Sequence, residues 1–142
     1  MRVGRMSALY GDEHVRRYRE TGGAEGHLWR EGSTVLLLTT RGHRSGRETT
    51  TPLIYAMDGS NAVVVASKAG APEHPAWYRN LVADPEVHVQ ILAECFQARA
   101  RTAVAEERER LWLLMNQVWP HYAEYADRTE REIPVVVLER MD

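Results

Sequence analysis

The length of the links between apolar runs constrains this chain more than any single motif. Arg47–Met57 and Ala62–Lys68 read as strands parted only by a turn at Asp58-Gly59. A link that short joins antiparallel strands into a hairpin, because a parallel crossover takes a dozen residues or more. The pattern recurs at Val87–Leu92 and Cys95–Val104, where Phe96, Ala98 and Ala100 alternate with Gln97, Arg99 and Arg101. That is the period of two expected of a half-buried strand. Ser33–Thr40 (STVLLLTT) reads as a buried strand and Ile133–Leu138 (IPVVVL) as the closing one.

Helices are expected between these runs. Asp12–Thr21 carries Val15 and Tyr18 three apart and stops at Gly22-Gly23. Pro75–Ala83 opens on a proline, with Trp77, Tyr78, Leu81 and Val82 as its apolar stripe. Glu106–Trp119 is the clearest helix, since Leu111, Leu114, Met115, Val118 and Trp119 fall at i, i+3, i+4, i+7 and i+8. About six mostly antiparallel strands with peripheral helices make the fold class α+β, a curled sheet or small barrel, and not a doubly wound parallel sheet. No strand–GxGxxG–helix unit of a dinucleotide fold is present.

A length of 142 residues suits one domain spanning 1–142. Lys and Arg number 18 against 20 Asp and Glu, a formal charge of −2 that argues against a general nucleic-acid binder. The lone Cys95 forms no intramolecular disulfide and reads as a small buried residue or an unremarkable thiol. Val35–Leu38 and Ala62–Ala66, the longest aliphatic stretches, are too short to cross a bilayer, so no integral membrane segment is expected. The first residues have no apolar core of signal-peptide length, and the chain reads as cytoplasmic. Its six histidines form no H-x-x-x-H pair and no cluster at ligand spacing, so no metal is expected.

Two stretches carry the chemistry. Thr39–Pro52 (TTRGHRSGRETTTP) packs Arg41, His43, Arg44 and Arg47 into seven residues, with Gly42 and Gly46 bracketing the turn and Ser45 adding a hydroxyl. Guanidinium groups suit phosphate and carboxylate oxygens, so the loop reads as an anion cradle or, alternatively, as a solvated hairpin tip. It is not a P-loop, because a strand and not a helix follows. Ala66–Asn80 (ASKAGAPEHPAWYRN) runs from a strand end at Ser67-Lys68 through small residues into a helix. It could aim a lysine and a helix N-terminus at the same anion, or leave Lys68 in solvent. Trp77 and Tyr78 fit core packing, whereas Asn80 lies off the apolar stripe.

Taken together, these stretches resemble the deazaflavin-dependent nitroreductase family of actinobacteria. The likeness rests on Thr39–Gly46, Pro52-Leu53 and Ala66–Asn80, and continues through Asp84–Val89, Pro120–Tyr125 and the closing IPVVV strand. It covers nearly the whole chain after His14. The resemblance implies a split β-barrel and coenzyme F-420, whose tail carries a phosphate and glutamates. It implies an oxidoreductase passing a hydride from the reduced cofactor to an electron-poor acceptor such as a quinone, nitroaromatic or activated enone. By position, Arg44, Ser45 and Arg47 would meet the tail, with Lys68 nearby, and His43, Thr49, Ala69 and Gly70 are further cofactor-binding candidates. Pro52, Ile54, Ser67, Ala76, Trp77 and Asn80 would line the deazaflavin, and Tyr125 and Tyr122 would cover the ring and face the substrate. The family usually has Arg where this chain has His43 and Thr49, and Arg47, expected on the same strand face as Thr49, would take over that role. Tyr125 is the candidate proton donor or substrate-orienting group. Two alternatives stand beside this reading: an FMN-dependent reductase or oxidase on the same barrel, and a non-catalytic deazaflavin-binding protein. The resemblance also allows a homodimer.

Overall fold

A computed structural model describes residues 9–141. Its elements are α1 (Gly11–Thr21), β1 (Val35–Arg41), β2 (Glu48–Ile54), β3 (Ala56–Asp58), β4 (Asn61–Val65), α2 (Ala76–Ala83), β5 (Glu86–Ile91), β6 (Glu94–Thr102), α3 (Ala105–Val118), α4 (His121–Asp127) and β7 (Val135–Met141). Two tight helical turns, Arg30–Gly32 and Lys68–Gly70, interrupt the longer connections.

The strands form one antiparallel sheet in the order β2-β1-β5-β6-β7-β4-β3. Its two outermost strands, β2 and β3, are consecutive in the chain with Tyr55 alone between them. Covalent continuity therefore brings opposite ends of the sheet together and curls it into a barrel with one unpaired seam, the split-barrel class expected. Tyr55 turns the corner, buried and donating its N–H to the Thr34 carbonyl at 3.1 Å.

This corner corrects the expected hairpin across Arg47–Lys68. The run splits into two strands, so the sheet has seven strands and not six. Only β3 pairs with β4 across Asp58-Gly59, while β2 pairs with β1 in a register running from Val35↔Ile54 to Arg41↔Glu48. Pairing with β1 comes first because the basic loop between them is itself a hairpin turn.

Leu36 and Leu38 of β1 point into the barrel with Val64, Val87, Val89, Ala98, Val136 and Leu138, and Trp77 and Leu81 of α2 pack into the same cluster. The opposite faces are covered too: Val35 and Leu37 lie under Val15 and Tyr18 of α1, and Val63, Val65, Val135 and Val137 lie under Leu111, Met115, Trp119 and Tyr122. Burial on both faces explains why β1, β4 and β7 read as continuous apolar runs. Strands β5 and β6 alternate because their outer residues, His88, Gln97 and Arg99 among them, meet water.

Two packing expectations change. Val82 is 62% exposed, and Asn80 takes its place in the buried arc of α2. At 3.6 residues per turn Val82 lies about 140° round from Trp77 while Leu81 lies about 40° away, so a centre at Trp77 excludes it. Cys95, at the start of β6, is exposed and not buried, because its side chain falls outside the barrel.

Candidate active site

The seam of the barrel holds a cavity of about 410 Å³, within the range of small-ligand sites. Thr51, Pro52, Leu53 and Ile54 of β2 form one wall, Ser67, Lys68 and Ala69 a second, and Tyr122 and Tyr125 of α4 a third. Trp77, Trp29, Trp119, His14, Gly11 and Tyr10 line it as well.

Strand β2 meets this cavity with a free edge, since β1 is its only strand partner among the described residues. Bonds from Tyr55 N–H to Thr34 and from Gly42 N–H to Arg47 fix the alternation of the ladder. Thr49, Thr51 and Leu53 therefore turn their backbone groups to β1, and Thr50, Pro52 and Ile54 turn theirs outward. Proline has no N–H to offer, and Pro52 stands where no ladder bond is lost.

The second wall is a left-handed turn. Lys68, Ala69 and Gly70 have φ of 46°, 53° and 81°, and the first two are residues that resist this conformation. At Gly70 the chain has no choice: a Cβ there would stand 2.7 Å from the Tyr125 carbonyl oxygen. The absent side chain lets α4 settle on the turn. Lys68 does not stand free, because its ammonium pairs with Glu73 at 3.0 Å and holds that carboxyl below its ordinary range.

The third wall sets two phenols at different depths. Tyr122 is buried, and burial pushes its phenol well above its ordinary value. Tyr125 is half-buried, and its oxygen accepts the Trp119 indole N–H at 3.4 Å. Because the indole can only donate, the Tyr125 O–H keeps its own proton free for another acceptor. Helix α4 is tied to the Arg30–Gly32 turn through His121, which contacts Glu31 at 2.8 Å and Glu124 at 2.6 Å. Those two hydrogen bonds, to Glu31 first, raise the imidazole above its ordinary value.

The basic loop lies at the other end of β2, about 23 Å from Ile54 at the usual strand rise. Gly42 N–H bonds the Arg47 carbonyl at 2.7 Å, and Arg47 N–H bonds Ser45 Oγ at 3.1 Å. A Cβ on Gly42 would come within 2.6 Å of that Ser45 oxygen and 3.1 Å of the Arg47 carbonyl, so a side chain there would displace the hydroxyl and crowd the turn. Arg41 approaches Asp84 at 3.8 Å. Arg44 and Arg47 are exposed and form no ion pair among the described residues. Asn80 holds the loop from inside: its Oδ1 accepts the His43 backbone N–H at 3.0 Å and its Nδ2 donates to Thr40 at 3.1 Å. The same Oδ1 lies 2.7 Å from His43 Nδ1, which must then carry the ring proton.

The cavity thus gathers Pro52, Ile54, Ser67, Lys68, Ala69, Trp77, Tyr122 and Tyr125 of the residues expected from sequence. His43, Arg44, Ser45 and Arg47 stand together on the loop, and Thr49 is at the loop end of β2 facing Thr40. Arg47 lies one residue before β2, and its carbonyl accepts the Gly42 N–H in continuation of the ladder that pairs Thr49 with Thr40. Gly70 and Asn80 are buried supports that do not line the cavity, and Ala76 is exposed on α2. Sequence reasoning did not single out Trp29 and Trp119, whose rings lie 5.8 Å apart at the cavity wall. Trp119 had the signal of an amphipathic helix and was read only as packing. Of the six histidines, five have built partners: Gly26 for His14, Tyr55 for His27, Asn80 for His43, Arg131 for His74 and glutamates for His121.

This geometry can be set beside known proteins. The F420H(2)-dependent quinone reductase family matches residues 10–140. An F420H(2)-dependent quinone reductase of Mycobacterium tuberculosis is 39% identical over 130 residues, covering 89% of this chain and 87% of the relative. A solved F420-H2 dependent reductase, FDR-A, superposes with a TM-score of 0.69 at 40% identity, over 74% of this chain and 93% of the other. A second, described as a domain-swapped dimer, superposes with a TM-score of 0.72 at 38% identity, over 88% and 96%. The match spans the basic loop, the seam cavity and α4 alike, and the chain belongs to the F420H(2)-dependent quinone reductase family.

Proposed function

We propose that the chain lays coenzyme F-420 along the free edge of β2, with the ring in the seam cavity and the anionic tail on the basic loop, and reduces a quinone beside it. Membership in the family makes the chain an oxidoreductase with coenzyme F-420 as its cofactor. The observation that carries the placement is the straight path from cavity to loop along β2, ending on Arg44 and Arg47, two guanidiniums without partners among the described residues. A flat, largely apolar ring system fits walls made by Pro52, Ile54, Trp77 and Tyr122, and a multiply charged tail fits unpaired arginines better than FMN's single phosphate does. The outward-facing backbone of Ile54 can hydrogen-bond a ring edge.

When bound in its reduced form, the cofactor supplies the hydride. The protein's own part is to orient the acceptor, exclude water and deliver a proton. A quinone that gains a hydride needs a proton on its oxygen, and Tyr125 presents an O–H whose oxygen is already held by Trp119. Trp29 and Trp119 supply a flat apolar wall for an aromatic acceptor. A homodimer belongs to this proposal, supported by the relative solved as a domain-swapped dimer.

The test is a fluorescence titration of purified protein with oxidised coenzyme F-420 and, in parallel, with FMN. Saturable binding of the deazaflavin, weakened about tenfold by Arg44→Ala or Arg47→Ala and eased off by salt, is expected. A preference for FMN, or arginine variants that bind like wild type, would sink the placement. Bound cofactor with no turnover of any quinone would leave a binding protein and not a reductase.

A further inference from the structure

We infer that Arg131 is a positioning residue of the cofactor site, holding the left-handed turn Lys68–Gly70 in the shape that makes it a cavity wall. The inference rests on the proposed placement of coenzyme F-420 in the seam. Arg131 Nε donates to the Ala71 carbonyl at 2.8 Å, Nη1 to Ala66 at 3.2 Å and Nη2 to Ser67 at 2.7 Å. These carbonyls bracket the turn on both sides, so one rigid guanidinium pins its entry and its exit. Within the turn only two bonds do comparable work, Gly70 N–H to Ser67 at 2.9 Å and Ala71 N–H to Lys68 at 3.0 Å. Two non-glycine residues at positive φ persist only where surrounding bonds over-determine them.

The chemistry of Arg131 is otherwise unexplained. It is half-buried and forms no ion pair among the described residues. The remaining contact of its guanidinium is with His74 Nδ1, 3.0 Å from Nη1. Since a guanidinium can only donate, Nδ1 accepts and the imidazole is neutral there. Every hydrogen bond of the Arg131 guanidinium thus goes to the segment between β4 and α2 that carries Ser67, Lys68 and Ala69 to the cavity. A lysine in its place can bond one or two carbonyls but cannot span all three with a planar fork.

The experiment measures the Kd for oxidised coenzyme F-420 in the full chain, for wild type, Arg131→Ala, Arg131→Lys and the control Arg110→Ala, which loses only an exposed pair with Asp58. Amide hydrogen exchange is followed in the same samples. Arg131→Ala is expected to raise Kd about tenfold and to speed exchange at Gly70 and Ala71 while β5 and β6 keep wild-type protection. Arg131→Lys is expected to rescue part of the loss, and Arg110→Ala to bind like wild type. If the alanine variant does not fold, the lysine variant carries the test alone. A folded Arg131 variant whose Kd and turn exchange match wild type overturns the inference. A wild-type chain that binds no coenzyme F-420 overturns the placement of the cofactor, and exchange at Gly70 and Ala71 then decides whether Arg131 holds the turn.

Discussion

At the scale of single residues, the site separates groups that line the cavity from groups that hold those groups still. Tyr125 belongs to the first kind. Its oxygen takes the Trp119 N–H, which orients the phenol and leaves its proton free to leave toward the cavity. Tyr125→Phe keeps the ring and removes the proton, so quinone turnover should fall about a hundredfold while coenzyme F-420 binding stays unchanged. Stopped-flow reduction measured beside a binding titration checks both halves, and equal turnover would remove Tyr125 from the proton path. Asn80 belongs to the second kind. Its lack of fit with an apolar stripe signalled a polar task. That the task is to bond His43 and Thr40, and not to line the cavity, depends on α2 lying under the loop, which no local pattern encodes. Arg131 carried still less signal, because its partners are backbone carbonyls 60 or more positions away for two of its bonds and 65 for the third.

At the scale of elements, α4 is the part whose docking is conditional. It settles on the Lys68–Gly70 turn and is fastened to the Arg30–Gly32 turn by His121 between Glu31 and Glu124. The imidazole is raised above its ordinary value, to Glu31 first and then Glu124, so the charged ring is the form the folded state favours. A raised group lends its stabilisation in full below the unfolded value of about 6.5 and loses it as pH climbs through the folded one. The thermal midpoint of the wild type should therefore decline, as pH rises from about 6.5 through the folded value, more steeply than that of His121→Gln. Differential scanning fluorimetry across that window reads the difference, and parallel curves would show that the fastening is idle. In the sequence this helix was legible only as the Pro120–Tyr125 stretch of the resemblance, while its anchorage came from a glutamate 90 positions upstream.

At the scale of the whole molecule, the corner at Tyr55 decides everything downstream. It makes the two edge strands neighbours in sequence, leaves the seam between them, and so creates the cavity. Its ring is buried in the barrel interior, and its hydroxyl meets His27 at 2.8 Å. Tyr55→Ala should cost about 3–5 kcal/mol, as large aromatic truncations in a core do. Chemical denaturation of the two proteins measures it, and a loss under about 1 kcal/mol would mean that the corner closes without the ring. The antiparallel α+β class, the helix over Gly11–Thr21, the long amphipathic helix and the basic loop were all readable in the chain, because period, turn residues and charge clusters are local properties. The split of one expected strand into β2 and β3, the exposure of Val82 and Cys95, and the paired state of Lys68 were not. Each depends on which face of an element meets which distant neighbour. The sequence by itself determined the kind of sheet and the chemistry it carries; the tertiary structure alone decided where the sheet breaks, because a seam exists only when strands far apart in the ladder are brought together by one covalent corner.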